Sequence, residues 1–134
     1  MSLPLQRPKT KKKYSPWKIS EVAIQKAFFG WLDLFTDVRD FTFMIPNGGK
    51  RTEAEAAHLK AQGLTAGVPD LFMAVPRNGY HGLFIELKTS TGRLADVQAQ
   101  WIKKLNEQNY LAVVCYGLDD AMDVVRKYLG MEHA

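Results

Sequence analysis

The sequence has few features that would set it apart from ordinary globular proteins. Its 134 residues contain one cysteine, Cys115, so an internal disulfide and a cysteine-cluster zinc site are excluded. No apolar run approaches the ~20 residues that a membrane-spanning helix needs, and no apolar signal core follows the basic N-terminus. The sequence therefore predicts a protein without a membrane span, located in the cytoplasm of a bacterium or of a phage-infected host cell.

Acidic residues are absent from the first 18 positions, which hold six of the 18 basic residues. The rest of the chain carries 12 basic against 14 acidic residues, a net charge of −2, although the whole chain has a net charge of +4. Prolines at three of these positions discourage regular structure, so we expect residues 1–18 to form a flexible basic tail before a single domain at residues 19–134. The tail could hold phosphates through a salt-sensitive contact or act only as a solubilising segment.

Hydrophobic periodicity predicts four helices and four strands, in the order helix, strand, helix, strand, strand, helix, strand, helix. The expected helices cover residues 20–34, 52–62, 94–108 and 119–129, and the expected strands cover residues 41–45, 70–75, 82–88 and 111–116. A small mixed β-sheet flanked by helices accommodates this order, which gives an α/β fold class. The last strand is continuously apolar, as is typical of a strand covered on both faces, and we expect it at the centre of the sheet.

Three charged residues fall on the two middle strands, which a turn at Pro76-Arg-Asn-Gly79 joins. Because strand side chains alternate between faces, Glu86 and Lys88 point to one side, and Asp70 on the neighbouring strand can reach the same pocket. Two carboxylates beside one ammonium group suit a hard divalent cation with a water molecule held next to it. The alternative interpretation of Glu86 and Lys88 is a surface ion pair, worth at most about 1 kcal/mol.

Two further polar residues interrupt apolar helix faces. Glu21 lies on the inner side of the first helix, where it either favours the helix dipole or faces a site. Gln98 lies in the apolar stripe of the third helix, and a buried amide must find hydrogen-bond partners. The partner of Gln98 is either backbone or the candidate catalytic group.

The ordered motifs resemble those of the VRR-NUC (virus-type replication-repair nuclease) family, which belongs to the PD-(D/E)xK nuclease superfamily. The resemblance runs from about residue 19 to residue 129. In chain order the motifs are Ile45-Pro46-Asn47-Gly48-Gly49, Gly67-x-Pro69-Asp70-Leu71, Phe84-Ile85-Glu86-Leu87-Lys88, Gly92-Arg93-Leu94 and Gln98.

The resemblance implies a restriction-endonuclease-like αβββαβ core and a site for Mg²⁺ or Mn²⁺. Asp70, Glu86, the backbone carbonyl of Leu87 and Glu21 are then the expected metal ligands, and Lys88 and Gln98 complete the catalytic group. It also implies that the loop containing Asn47 lies near the site, although Asn47 could simply form a turn. Lys50, Arg51 and Arg93 are then expected to contact the DNA substrate.

Two hypotheses about function follow. The first is a metal-dependent DNA endonuclease acting in replication, repair or recombination, and the resemblance suggests a homodimer that cuts four-way (Holliday) junctions or other branched DNA. Exposed Phe or Trp residues of the first helix are candidates for the dimer interface. The alternative is a catalytically inactive DNA-binding module that uses the basic tail and the loop at Lys50 and Arg51.

Overall fold

A computed structural model describes residues 19–46 and 51–131, so the basic tail and the Asn47–Lys50 loop lie outside the described residues. The helices are α1 (Glu21–Leu32), α2 (Thr36–Arg39), α3 (Glu53–Ala61), α4 (Asp96–Glu107) and α5 (Leu118–Leu129). The strands are β1 (Thr42–Met44), β2 (Leu71–Met73), β3 (Leu83–Lys88) and β4 (Leu111–Tyr116). All eight expected elements are present, and only the four-residue helix α2 was not predicted.

Local capping explains where several elements begin and end. Ser20 accepts a hydrogen bond from the Ala23 N–H at the start of α1, and Thr52 does the same for Glu55 at the start of α3. Asn109, two residues beyond the end of α4, has a φ of 66° and takes the left-handed position that glycine often fills. The turn between β2 and β3 has positive φ at both Asn78 and Gly79, as a type I′ hairpin turn requires.

The sheet is mixed and has the strand order β1-β2-β3-β4. The pairs β1–β2 and β2–β3 are antiparallel, whereas β3–β4 is parallel with α4 as the crossover. The expectation that the apolar strand β4 lies at the centre was wrong, because β3 is its single strand neighbour within the described part of the chain. Strand β4 is apolar because α4 and α5 cover its two faces. The amino-acid composition of a strand depends on whether its faces are covered, and a strand at the edge of a sheet can be covered on both faces.

Helices α1 and α5 pack on one face of the sheet and form the core with it. Phe28, Leu32, Val125 and Tyr128 are fully buried there. The first helix therefore does not expose its aromatic residues as expected, because Phe28 is in the core and its neighbours Phe29 and Trp31 are half-buried against it. No helix within the described ranges is long and apolar enough to cross a membrane.

Side chains form hydrogen bonds with backbone N–H and carbonyl groups along the two outer edges of the sheet. On β4, Asn106 accepts from the Ala112 N–H and donates to the Ala112 carbonyl, at 3.1 and 3.0 Å. Further along the same edge, the Asp120 carboxylate accepts from the Tyr116 N–H at 2.8 Å. On β1, Arg39 donates to the Thr42 carbonyl at 3.0 Å. These side chains take the positions that hydrogen bonds to a further strand would otherwise fill.

Candidate active site

The register between β2 and β3 brings two carboxylates together. Leu71 pairs with Ile85, so the antiparallel ladder continued by one residue sets Asp70 opposite Glu86. Residues in directly opposite positions have Cβ atoms about 5 Å apart and share one face of the sheet. Lys88, two residues beyond Glu86, lies on that same face. We call it the site face, and it is opposite the face that packs on α1 and α5.

Backbone hydrogen bonds fix Asp70 against β3. Its Oδ2 accepts from the Leu87 N–H at 2.8 Å. In a strand, the N–H and the carbonyl of one residue point in the same direction, so the Leu87 carbonyl also points towards the Asp70 side. The Lys88 carbonyl points the opposite way, where it accepts from Gly117 beyond the end of β4. The Leu87 carbonyl therefore points towards the side of β3 on which Asp70 lies.

Glu86 and Lys88 are both buried, with exposed fractions of 2% and 8%. A surface ion pair, the alternative interpretation of these two residues, would leave both side chains in water. Burial of a carboxylate and an ammonium group instead carries a desolvation cost that a structural pair seldom recovers. The arrangement therefore calls for a further charged or polar group.

The two oxygens of Glu86 have different surroundings. Oε2 accepts a long hydrogen bond of 3.4 Å from the Gln98 amide, whereas the buried Oε1 has no hydrogen-bond partner among the described residues. Burial, and after it a hydrogen bond to Asp70 that a protonated Glu86 would donate and the negative charge of Asp70, raises the pKa of Glu86 to about 9, against a smaller lowering by Lys88. Without a cation, this carboxyl group is therefore protonated at neutral pH.

Gln98 forms hydrogen bonds with both of its expected kinds of partner, a backbone group and a residue of the candidate catalytic group. Its Oε1 accepts from the Ala95 N–H at 2.9 Å, which caps the start of α4. Its Nε2 donates to Glu86, so the amide joins the helix start to the candidate site. Both alternatives, backbone and catalytic group, therefore apply to this one side chain.

These residues fit a hard divalent cation. Two carboxylates and a backbone carbonyl supply oxygen ligands, and a cation would partner the orphaned Oε1 and offset the repulsion between Asp70 and Glu86. No cluster of three or more Asp, Glu, His or Cys side chains suited to a metal occurs in the described part of the chain. Glu21 is exposed in the first turn of α1, and its charge is the weakest of the influences on Glu86. The structure thus brings Asp70 and Glu86 together but does not add Glu21 to them.

The loop that delivers Asp70 packs closely against α4. Gly67 has a φ of 89°, and a Cβ at this position would lie 2.7 Å from Val97 Cγ2 and 2.8 Å from the Val97 carbonyl oxygen. Pro69, two residues on, is fully buried. Gly67 therefore permits a close approach to a neighbouring helix.

The expected substrate-binding residues lie on loops or outside the described ranges. Arg51 precedes α3 and Arg93 precedes α4, and both side chains are exposed. Asn47 and Lys50 belong to the segment that the structure leaves undescribed.

Sequence reasoning missed two features of the site face. Tyr116 is the partner of Lys88 in the parallel ladder and is half-buried beside it. An aromatic row also crosses the sheet next to the carboxylates, formed by Phe43, Phe72, Phe84, Tyr110 and His81. The alternation of Phe84, Glu86 and Lys88 along one strand is the signal that could have revealed the row.

Comparison with known proteins agrees with this fold. The model of the VRR-NUC domain family matches residues 20–119, a range that includes Asp70, Glu86, Lys88 and Gln98. A solved structure described as a VRR_NUC domain protein is 28% identical in sequence, with a TM-score of 0.76, and the alignment covers 86% of this chain and 92% of that chain. No curated protein sequence matches the chain.

Proposed function

This chain belongs to the VRR-NUC domain family, and on that premise we propose that it is a divalent-metal-dependent endonuclease that hydrolyses DNA phosphodiester bonds. The observation that carries the proposal is the pair of carboxyl groups on one face of the sheet, Asp70 and the buried Glu86. Two ionised carboxylates this close repel each other, and a bound cation would offset that repulsion. The nuclease-type fold of the family and its general dependence on divalent metals support the same assignment.

In this mechanism Asp70, Glu86 and the Leu87 carbonyl would hold Mg²⁺ or Mn²⁺ where the start of β2 lies beside the end of β3, with Glu21 as a further candidate ligand. When bound, such a cation lowers the pKa of a coordinated water and neutralises charge on the phosphate. The Leu87 N–H holds the Asp70 carboxylate in place before substrate arrives, so little reorganisation is needed during the reaction.

Lys88 and Gln98 act beside these ligands. The buried ammonium group of Lys88 faces the same side of the sheet as Glu86, from which it orients the attacking water or binds a phosphate oxygen. Gln98 holds Glu86 Oε2 through its amide. Asn47, Lys50, Arg51 and Arg93 are the proposed contacts to the DNA backbone, since Arg and Lys side chains bind phosphate.

A symmetric branched DNA, such as a four-way junction, is the proposed substrate, and a homodimer is the proposed assembly. A two-fold dimer would offer one site to each of two strands, and an isologous interface is the common geometry of such dimers. Sedimentation equilibrium of the purified chain at micromolar concentration tests the assembly, and a monomer there would refute it. Paired nicks at symmetric positions of a junction would support both parts of the proposal.

Cleavage of labelled four-way junction, flap, duplex and single-stranded DNA tests the activity. Each DNA is incubated with Mg²⁺, Mn²⁺ or EDTA and with wild type, Asp70→Asn or Asp119→Asn. An Asn at position 70 still accepts from the Leu87 N–H, whereas the exposed Asp119 lies at the start of α5 and serves as the matched control.

We expect metal-dependent products from wild type and Asp119→Asn, and a loss of about 100-fold or more in Asp70→Asn. Intact DNA under every condition, with binding indifferent to metal, would contradict the nuclease. That result would support the alternative, a DNA-binding module without catalysis.

A further inference from the structure

The aromatic row is a continuous strip of rings across the site face. Phe43 of β1 contacts Phe72 of β2 edge to face at 5.8 Å, and Phe72 stacks on Phe84 of β3 at 4.3 Å. Tyr110 then packs against Phe84 at 5.3 Å and against His81 at 5.4 Å. The row thus extends over the full width of the described sheet.

The β1 end of the row is open. Helix α4 packs against β4, and within the described residues α2 is the one helix with extensive contacts to β1 or β2. Helix α2 contacts β1 from the opposite face, where the Thr42 hydroxyl bonds to the Val38 carbonyl. Phe43 consequently remains 51% exposed, although aromatic side chains of this size normally bury most of their surface.

The row runs directly beside the candidate active site. Phe72 and Phe84 are each two residues from Asp70 and Glu86 on the same face of the same strands, a separation of about 7 Å. That distance corresponds to about two stacked base steps at 3.4 Å each. A nucleic acid strand with its phosphate at Asp70 and Glu86 therefore has its neighbouring bases within reach of the rings.

We propose that the aromatic row binds unpaired bases next to the phosphate that is cut. This inference rests on the proposed function, and it narrows the branched DNA proposed there to branches that have single-stranded nucleotides adjacent to the site. Bases of any sequence offer a flat surface for stacking on aromatic rings, so the row selects unpaired structure and not sequence. Its five side chains carry no negative charge that would repel phosphates, and the Tyr110 hydroxyl and the His81 imidazole add polar groups at its β4 end.

Equilibrium binding without cleavage tests the row separately from catalysis. Fluorescence anisotropy in Ca²⁺ compares a duplex that has a tail of four thymidines with the same duplex whose tail has four abasic residues. Tails at the 5′ and at the 3′ end are both measured. The tails carry equal phosphate charge, so a difference in affinity reports on the bases.

The variants are Phe43→Ala, Phe43→Trp and Met44→Ala. Met44 is the matched control because it is 53% exposed on the same strand but points to the opposite face. We expect wild type, Phe43→Trp and Met44→Ala to bind the thymidine tail about fivefold or more tightly than the abasic tail, as one base–aromatic stack permits. Phe43→Ala should lose most of this preference, because Phe43 is the exposed ring at the open end of the row.

The proposal is overturned if wild type does not distinguish the tails, if neither DNA binds, or if Phe43→Ala keeps the preference. It is also overturned if Phe43→Ala changes only the sedimentation mass, because the row would then be a contact between copies of the chain. A preference for bases without any cleavage in Mg²⁺ would support the row and refute the nuclease. Cleavage in Mg²⁺ without a preference for the thymidine tail would support the nuclease and refute the role of the row.

Discussion

Glu86 is the residue whose protonation links the site to the stability of the metal-free protein. Its pKa is raised from an ordinary value of 4.5 to about 9, chiefly by burial and then by Asp70. Between these two values the folded state binds a proton that the unfolded state has released, so stability falls as pH rises. The stabilising contribution is complete below about pH 4.5 and is lost once the pH passes 9.

We therefore expect the free energy of unfolding in EDTA to fall between pH 5 and pH 9 in wild type and to fall less in Glu86→Gln. One pKa unit corresponds to about 1.36 kcal/mol, and we count half of the shift because residual solvent screens the charge. The expected loss in the free energy of unfolding is then roughly 3 kcal/mol. Urea unfolding at several pH values, followed by tryptophan fluorescence, measures the difference between the two proteins. Curves that run parallel over this pH range would show that Glu86 ionises normally.

The loop of residues 64–69 and the first turn of α4 are the elements that fix the position of Asp70. Gly67 allows their contact, because any side chain there would meet both the side chain and the backbone of Val97. Gly63 offers a natural comparison, since it also has a positive φ, of 105°, but a Cβ added there would have no atom within 4 Å. Alanine substitutions at the two glycines therefore distinguish the cost of backbone strain, present at both positions, from the cost of steric overlap, present only at Gly67.

Gly63→Ala should lose roughly 1 kcal/mol through backbone strain alone. Gly67→Ala should lose about 1–3 kcal/mol more, because overlap with a backbone atom cannot be relieved by rotating a side chain. Chemical denaturation of the two variants gives both values. Equal losses would mean that the loop moves away from α4 without cost.

The elements also indicate how far sequence reasoning reaches. The alternation of residues along β3 predicted correctly that Glu86 and Lys88 share a face, and glycine-like chemistry at Asn109 predicted the end of α4. Helix α2 was missed because four residues, Thr36–Arg39, are too few to establish a 3.6-residue period. The burial of Lys88 and the edge position of β4 depend on which distant elements pack together, and local patterns do not encode that.

At the scale of the whole molecule, the folded unit is longer than the family match. The match ends at residue 119, yet α5 places four buried residues in the core, Ala121, Val124, Val125 and Tyr128. The Tyr128 hydroxyl donates to the Val75 carbonyl at 2.6 Å, and Asn78 donates to the Tyr128 carbonyl at 2.9 Å. The C-terminal turn of α5 is thus tied to the β2–β3 hairpin.

A chain that stops after residue 119 is expected to show no cooperative unfolding transition, because it leaves the core face of β3 and β4 exposed. Tyr128→Phe is the mild counterpart, which should stay folded and lose roughly 1–2 kcal/mol for one buried hydrogen bond. Circular dichroism during urea titration compares the three chains. A normal transition in the shortened chain would show that α5 is dispensable.

The side chains that occupy the sheet edges have a consequence for how molecules of this chain meet. An apolar outer strand such as β4 is a template on which identical chains can stack into fibrils. Asn106 and Asp120 occupy hydrogen-bonding groups near the two ends of the outer edge of β4, and Arg39 occupies one on β1. We therefore expect solubility during synthesis at high concentration to depend in part on these three polar side chains, none of which belongs to the catalytic group.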